Sequence, residues 1–310
     1  MELIKCFKAL SDKTRLRLLI VLQQYELNVN EIVLVVDMIQ SGVSRHLKIL
    51  VESGLLTSRR NGSFIYYSAA GNDICNALIS LVDKTLEKEE IAGRDLKKAG
   101  EMIKIRQNRT KRFFKTVAPQ WDRLKKEVLG DFDLNSVIMG KLSFQGKISD
   151  LGCGTGELIE KLSFKVPNKL IGIDSSPEML EQARLRLSGT SNAELRLGEL
   201  EHLPMKNKEI DAAIMNMVLH HISQPRLPIA EVYRVLKPGG LFVLSDFEKH
   251  EKEKIKEIMG GSWLGFEKEK IKTWLLDTGF QIKEVDSYHV NHGLAVNVFT
   301  ATKQKLKEKL

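Results

Sequence analysis

Two neighbouring histidines, His220 and His221 in "VLHHI", follow an apolar run, "IDAAIMNM", that carries Asn216 and Met217 at its end. Imidazole takes or gives a proton near neutral pH, so the pair is a candidate general base. A histidine in such a place also often just lines a cleft, and that reading stands beside the catalytic one. Earlier, "ISDLGCGTGELIEKL" sets Gly152, Gly154 and Gly156 behind Asp150. Glycines at this spacing let the backbone approach a ligand that a β-carbon would push away. Asp174 closes the next apolar run, "KLIGIDS", where a carboxylate can take both hydroxyls of a ribose. A third group has different chemistry. Ser41, Ser44, Arg45, His46 and Lys48 in "SGVSRHLKIL", with Arg59 and Arg60 before "NG", offer donors to phosphates and base edges.

The elements that must hold these residues follow from periodicity. In the second half of the chain, strand-like "KISDLG", "KLIGIDS", "AELRLGE", "IDAAIMNM" and "GGLFVLSD" alternate with helical "ELIEKLSFK", "PEMLEQARLRL" and "PRLPIAEVYRVL". Such alternation predicts a parallel sheet covered by helices on both faces, with ligands at the carboxyl ends of its strands. At the end, "FQIKEVDSYHV" and "LAVNVFTATK" are joined through "NHG" without room for a helix, which predicts a terminal antiparallel pair. Further upstream, "RFFKTVAPQWDRL" places Phe113, Phe114, Val117, Trp121 and Leu124 on a face that is either buried or a substrate lid.

The first seventy residues read differently. Phe7, Leu10, Leu16, Leu19 and Ile20 recur at near-helical spacing, with Ser11 or Asp12 as a mid-stretch cap. Helical stretches at 29–38 and 41–53 are joined by the short turn that a helix-turn-helix needs. "LLTSRR" and "SFIYYS" then flank Asn61-Gly62, a strong two-residue hairpin signal. A helix-turn-helix followed by a hairpin is a winged helix, whose second helix enters the major groove while the wing arginines reach phosphates or the minor groove. "IVLVV" (32–36) is apolar around more than one face and predicts a helix buried on more than one side.

Charge divides in the same way. Residues 1–70 carry 9 Lys/Arg against 6 Asp/Glu, 71–130 carry 14 against 9, and 131–310 carry 25 against 25, so the net +8 lies in the first 130 residues. A basic first part beside a neutral second part points to a polyanion for the first alone. Between them, 71–112 is helix-forming and charged. Its stripe Leu78, Leu81, Val82 and Leu86 suits dimer packing, and Gly93 is a possible break. The three cysteines are far apart and form no CxxC pair, which suits a reducing compartment and argues against a disulfide framework or zinc ribbon. No apolar run is long enough to span a membrane and the N-terminus is charged, so the expected location is cytoplasmic.

Two resemblances sharpen this. "ALSDKTRLRLLIVL", "ELNVNEI", "VSRHLKIL", "ESGLL" and "SRRNGSFIYYS" together resemble the ArsR-type winged-helix repressors over about residues 3–70. The likeness implies a homodimer on double-stranded operator DNA. Metal-sensing members carry a Cys-x-Cys pair where this chain has Asn28 and Asn30, and residues 71–95 hold no histidine, which argues against metal sensing.

"DLGCGTGELIEKL", "IGIDSSPEMLEQAR", "GELEHLPMKNKEIDAAIMNMVLHHI" and "EVYRVLKPGGLFVLSD" resemble the class I S-adenosylmethionine-dependent methyltransferases over about residues 113–302. The likeness implies a Rossmann-like seven-stranded sheet and S-adenosylmethionine as cofactor. By it, Asp150 and the Gly152–Gly156 turn hold the methionine part, and Asp174 holds the ribose with Ser175 and Met179 close by. Glu199 and Leu200 flank the adenine, and Asn216 and Met217 face the sulfonium. "FFKTVAPQWD" is similar to the segment before the glycine loop of quinone carbon-methyltransferases, with Trp121 in place of tyrosine. Arsenite chemistry relies on several cysteines, and this domain has only Cys153. The expected divisions are a winged helix at 1–70, a connector at 71–112, a methyltransferase domain at 113–302 with a small-molecule acceptor, and a charged tail at 303–310.

Overall fold

The computed structural model describes residues 2–86, 90–142 and 146–304, with side chains for all of these except 2, 73, 81–86 and 90–92. The chain forms two compact units, Met1–Gln107 and Asn108–Leu310.

The first unit is a winged helix. Asp12 separates helix α1 (Glu2–Leu10) from α2 (Lys13–Gln24), its side chain accepting the Arg15 backbone N–H. A short strand β1 (Leu27–Asn28) leads into α3 (Val29–Val36), then α4 (Gln40–Glu52) and the wing strands β2 (Leu56–Asn61) and β3 (Phe64–Ala69). The sheet order is β1-β3-β2. Asn28 is the N-cap of α3 in a reciprocal capping box with Glu31. One asparagine standing where metal sensors carry a thiolate is thus committed to starting a helix.

Three expectations need correction here. Asn61 still pairs with Phe64, so the hairpin loop is Gly62-Ser63, one residue later than Asn61-Gly62. Asn61 is buried while Gly62 takes the positive φ of 60° that the turn demands. Helix α3 buries one side rather than more than one: Ile32, Val35 and Val36 enter the core, but Leu34 is 61% exposed. The connector does not break at Gly93, which lies inside α6 (Glu90–Val117) after α5 (Asp73–Leu86). Of the expected dimer stripe, Leu78 packs into the core of this unit; the side chains of Leu81, Val82 and Leu86 lie outside the described residues.

The second unit is a seven-stranded sheet built from β4 (Ile148–Leu151), β5 (Leu170–Asp174), β6 (Ala193–Leu197), β7 (Ile210–Asn216), β8 (Leu236–Phe247), β9 (Phe280–Val290) and β10 (Leu294–Lys303). Its order is β6-β5-β4-β7-β8-β10-β9; β10 runs antiparallel to both neighbours and the other pairings are parallel. Buried strands on both faces explain the near-continuous apolar runs of β4, β5 and β7. The order reverses between β4 and β7, which makes the crevice above their carboxyl ends the expected binding place. Pro238-Gly239-Gly240 forms a bulge within β8, since Ile210 pairs with Leu236 and Ala212 with Leu241. Lys303 completes β10, and 305–310, most of the expected tail, lie outside the described residues.

Candidate functional site

The turn after β4 leads into helix α7 (Glu157–Ser163) and is tied to β5. The Gly152 and Cys153 N–H groups donate to the Ile173 carbonyl at 2.7 and 3.0 Å. Gly152, Gly154 and Gly156 all have positive φ (78°, 52° and 79°), a region L side chains rarely enter. A β-carbon on Gly152 would fall 2.5 Å from Cγ2 of Val218, whereas one on Gly154 would meet only the Trp121 ring, at 3.5 Å. The loop is pressed onto β7's continuation at one glycine and open at the next. Asp174 stiffens it, its carboxylate accepting the Gly154 N–H and the Ser176 N–H at 2.9 Å each. Burial raises the Asp174 pKa despite these bonds.

Asp150, 4% exposed, holds a carboxyl pushed up to about 7 by burial, with Asp174 and Glu157 adding to it and Lys125 opposing. Its Oδ1 has no hydrogen-bond partner. Burial likewise raises the Cys153 thiol, so this cysteine is no thiolate nucleophile at neutral pH. Across the crevice, Asn216 accepts from Ser245 Oγ at 2.8 Å and donates to Asn135 at 3.0 Å, and Asn135 donates to Glu157 at 2.9 Å. A cleft of about 600 Å³ opens there, lined by Asn216, Asn135, Glu157, Lys125 and Phe132 among others. Met217 has φ of 57°, a strained value for a non-glycine residue, and strain of this kind gathers at functional sites.

His220 and His221 lie in the short turn after β7, their rings 3.9 Å apart. His221 sits edge-on to Phe114 at 4.8 Å and to Trp121 at 6.0 Å. The aromatic segment is thus a buried face, packed against His221. Burial first, then the neighbouring His220, drives the His221 pKa well below its ordinary value, so its ring stays neutral. His220 is placed otherwise: Asp246, buried near the end of β8, receives its Nδ1 at 2.8 Å and its backbone N–H at 3.0 Å. The turn after helix α8 (Glu253–Met259) closes over this pair. Ser262 and Trp263 donate their N–H groups to the His220 carbonyl, and Trp263 Nε1 donates to that of Ile222 at 2.7 Å.

Four of the six buried side-chain atoms without a hydrogen-bond partner among the described residues are Asp150 Oδ1, His220 Nε2, His221 Nε2 and Ser223 Oγ. Asp150 lies at the turn-ward end of β4 and the other three in the segment that follows β7, and buried polar groups without a partner in such a place are candidates to meet a ligand. The remaining expected residues are more scattered. Leu200 and Met179 are buried, Met179 within the apolar core, and Ser175 is half-buried. Glu199 is 42% exposed and pairs with Lys111 of α6 at 2.5 Å.

In the first unit, Ser41, Ser44, Arg45 and Lys48 are exposed along one face of α4, as a helix entering a groove requires. His46 is turned away and half-buried, with Nδ1 3.7 Å from Asp12. Arg60 is exposed and donates to the Gly62 carbonyl at 3.0 Å. Arg59 does not share its outlook: it pairs with Glu26 at 2.5 Å and lies over the Tyr66 ring at 5.9 Å. Arg106 of α6 also lies over the Tyr66 ring, at 5.0 Å, and binds both Glu31 oxygens, its Nε reaching Oε1 at 2.7 Å.

Residues 12–58 match the family described as bacterial regulatory protein, arsR family, and residues 149–244 match the methyltransferase domain family. The chain joins an ArsR-family helix-turn-helix to a methyltransferase domain. The chain is 29% identical over 154 residues to a demethylmenaquinone methyltransferase of Lactiplantibacillus plantarum, covering 47% of this chain and 65% of that one. It is 33% identical over 103 residues to an arsenite methyltransferase of Halobacterium salinarum, covering 32% and 26%. The matches therefore span between about a quarter and two thirds of those relatives' lengths. A solved phosphoethanolamine N-methyltransferase 2 of Haemonchus contortus, in complex with phosphomonomethylethanolamine and S-adenosylhomocysteine, shares the fold. Its TM-score is 0.51 and its identity 16%, over 57% of this chain and 54% of that one. The glycine cradle and the unpaired Asp150 oxygen of the methyltransferase domain fit S-adenosylmethionine as its cofactor.

Sequence reasoning missed Asp246 and Lys111. The "LSD" ending β8 was a usable signal for Asp246, because a second carboxylate at a strand's carboxyl end lies over the same crevice. Nothing local marks Lys111 among the many lysines of its helix.

Proposed function

We propose that the chain is a DNA-binding regulator whose second domain transfers a methyl group from S-adenosylmethionine to a small molecule. The observation that carries this reading is the gathering of unpaired buried atoms, Asp150 Oδ1 and those of His220, His221 and Ser223, beside an intact glycine cradle. The cofactor supplies a methyl group already activated on a sulfonium. The protein's task is then to place an acceptor in line with it and to keep water out. The Gly152–Gly156 backbone and Asp174 bind, Asn216 and Met217 border the reacting centre, and Phe114, Trp121 and the Trp263 turn wall it off. In the first domain, Ser41, Ser44, Arg45 and Lys48 read duplex operator DNA as part of a homodimer, with Arg60 on a phosphate. A cytoplasmic setting suits this; among the described residues no helix is long and apolar enough to cross a membrane.

A second reading, a repressor that senses the cofactor without transferring methyl, is favoured by the Lys111–Glu199 pair. It engages Glu199, at the expected adenine edge, with a residue of α6 outside the glycine loop. Binding energy that differs between two states would suffice for such control. The paired test titrates DNA from upstream of the coding sequence with each cofactor form and measures S-adenosylhomocysteine release with cell extract. DNA affinity that follows cofactor without any turnover favours the sensor. Turnover without DNA binding at low salt sinks the regulator.

A further inference from the structure

The surroundings of His220 bear on which kind of atom receives the methyl group, an inference that rests on the enzymatic reading above. Asp246 is fully buried, and its carboxylate accepts the His220 N–H at 3.0 Å and the Phe247 N–H at 2.7 Å while facing Nδ1 of His220 at 2.8 Å. A carboxylate held in this way fixes the tautomer, with the ring proton on Nδ1 and the lone pair on Nε2. That Nε2 is buried without a partner, as are Nε2 of His221 and Oγ of Ser223. Three such atoms within four residues are a place for a ligand's polar group rather than ordinary packing. Aromatic rings surround it: Phe114 stands edge-on to His221 at 4.8 Å and to Trp121 at 5.2 Å, and Phe247 lies 5.1 Å from His220. Trp121 in turn borders Gly154 of the cofactor loop.

We propose that His220, positioned by Asp246, takes the proton of an aromatic hydroxyl, so that the acceptor is a phenol methylated on oxygen. A thiol, with a pKa of about 8.5, supplies its own thiolate near neutral pH, and a neutral amine attacks through its lone pair unaided. A phenol, at about 10, needs a base as it reacts. The aromatic walls suit a planar ring. In the step, the hydroxyl proton passes to Nε2 of His220 and an oxygen electron pair forms the bond to the methyl carbon. The carbon–sulfur bond breaks with its electrons going to sulfur. The positive charge of the sulfonium ends on the imidazolium, beside the Asp246 carboxylate, and the proton leaves to water after the methyl ether departs.

The test uses the full chain. In the S-adenosylhomocysteine complex, nitrogen NMR of labelled histidine should show His220 protonated at Nδ1 and bare at Nε2, a pattern lost in Asp246→Asn. With cofactor carrying a carbon-13 methyl group and cell extract as acceptor source, the product's methyl shift should be that of an aryl methyl ether. Asp246→Asn should slow transfer at least about a hundredfold while S-adenosylhomocysteine affinity by calorimetry stays within about threefold. His220→Gln should give the same loss if Asp246→Asn does not fold. A methyl group found on carbon, sulfur or nitrogen overturns the proposal alone, as does variant turnover within about threefold of wild type or an unchanged tautomer. No transfer by the wild type overturns the enzymatic reading with it.

Discussion

Arg59 and Glu26 form an ion pair at 2.5 Å, with both side chains mostly shielded from solvent, and this turns the first wing arginine onto its own domain. Its neighbour Arg60 must point to the other face, because successive side chains of a strand alternate. Two adjacent arginines that look equivalent in sequence therefore have different work.

The two variants should separate accordingly. Arg60→Ala should weaken binding to duplex DNA and lower the salt dependence by about one unit of slope, without changing thermal stability. Arg59→Ala should act the other way round, destabilising the wing because it strands the part-buried Glu26 carboxylate. Fluorescence anisotropy across a salt series, with melting curves for both, checks the pair. Equal effects of the two changes on DNA binding would mean that Arg59 leaves Glu26 in the complex.

Gly152 is the least replaceable glycine of the cofactor loop. An alanine there would adopt a φ of 78° and place its β-carbon 2.5 Å from Val218. The backbone penalty alone is about 1–2 kcal/mol, and relieving the clash moves the loop off β7. Gly152→Ala should lower the melting temperature of the second domain and abolish S-adenosylhomocysteine binding in calorimetry. Gly154→Ala meets only the Trp121 ring within the protein. It should lose binding with a smaller change in stability, since there the open space belongs to the ligand.

Much of this was legible because it is local. The period-2 and period-3.6 patterns set the sheet, the glycines and Asp174 set the cradle, and the Ser11-Asp12 pair marked the first helix cap, which the structure gives to Asp12. What stayed hidden depends on pairs distant in sequence. Asp246 reaches His220 only because β7 and β8 are neighbours, and Glu26 meets Arg59 only through the register of β1, β3 and β2. The one-residue error in the hairpin arose because Asn-Gly is read as a loop pair, whereas Asn61 is buried and keeps its place in the ladder. Gly93 looked like a break, but one helical glycine costs only about 1 kcal/mol, which a long packed helix absorbs.

Lys111 and Glu199 are each nearly half exposed, at 48% and 42%, so their bond is worth little to stability. Its interest is positional. Lys111→Ala should leave the melting temperature unchanged yet alter S-adenosylmethionine affinity, because Glu199 is freed at the expected adenine edge. Glu199→Gln should shift that affinity as well. Affinity unmoved by both changes would remove Glu199 from the cofactor site.

Asp150 sets a pH dependence whose sign is fixed by its raised pKa of about 7 against an ordinary 3.8. Below about pH 4 the group is protonated whether the chain is folded or not, and it costs nothing. Between there and about pH 7 the unfolded chain is ionised while the folded one keeps its proton. Stability from this group is lost through that window at up to about 1.4 kcal/mol per pH unit, to a total on the order of a few kcal/mol. Asp150→Asn removes the titration. The variant should gain on wild type as pH rises from about 5 to about 8 in denaturant unfolding, and should bind the cationic cofactor more weakly. A stability difference that is the same at both pH values would show that Asp150 is already ionised in the folded protein.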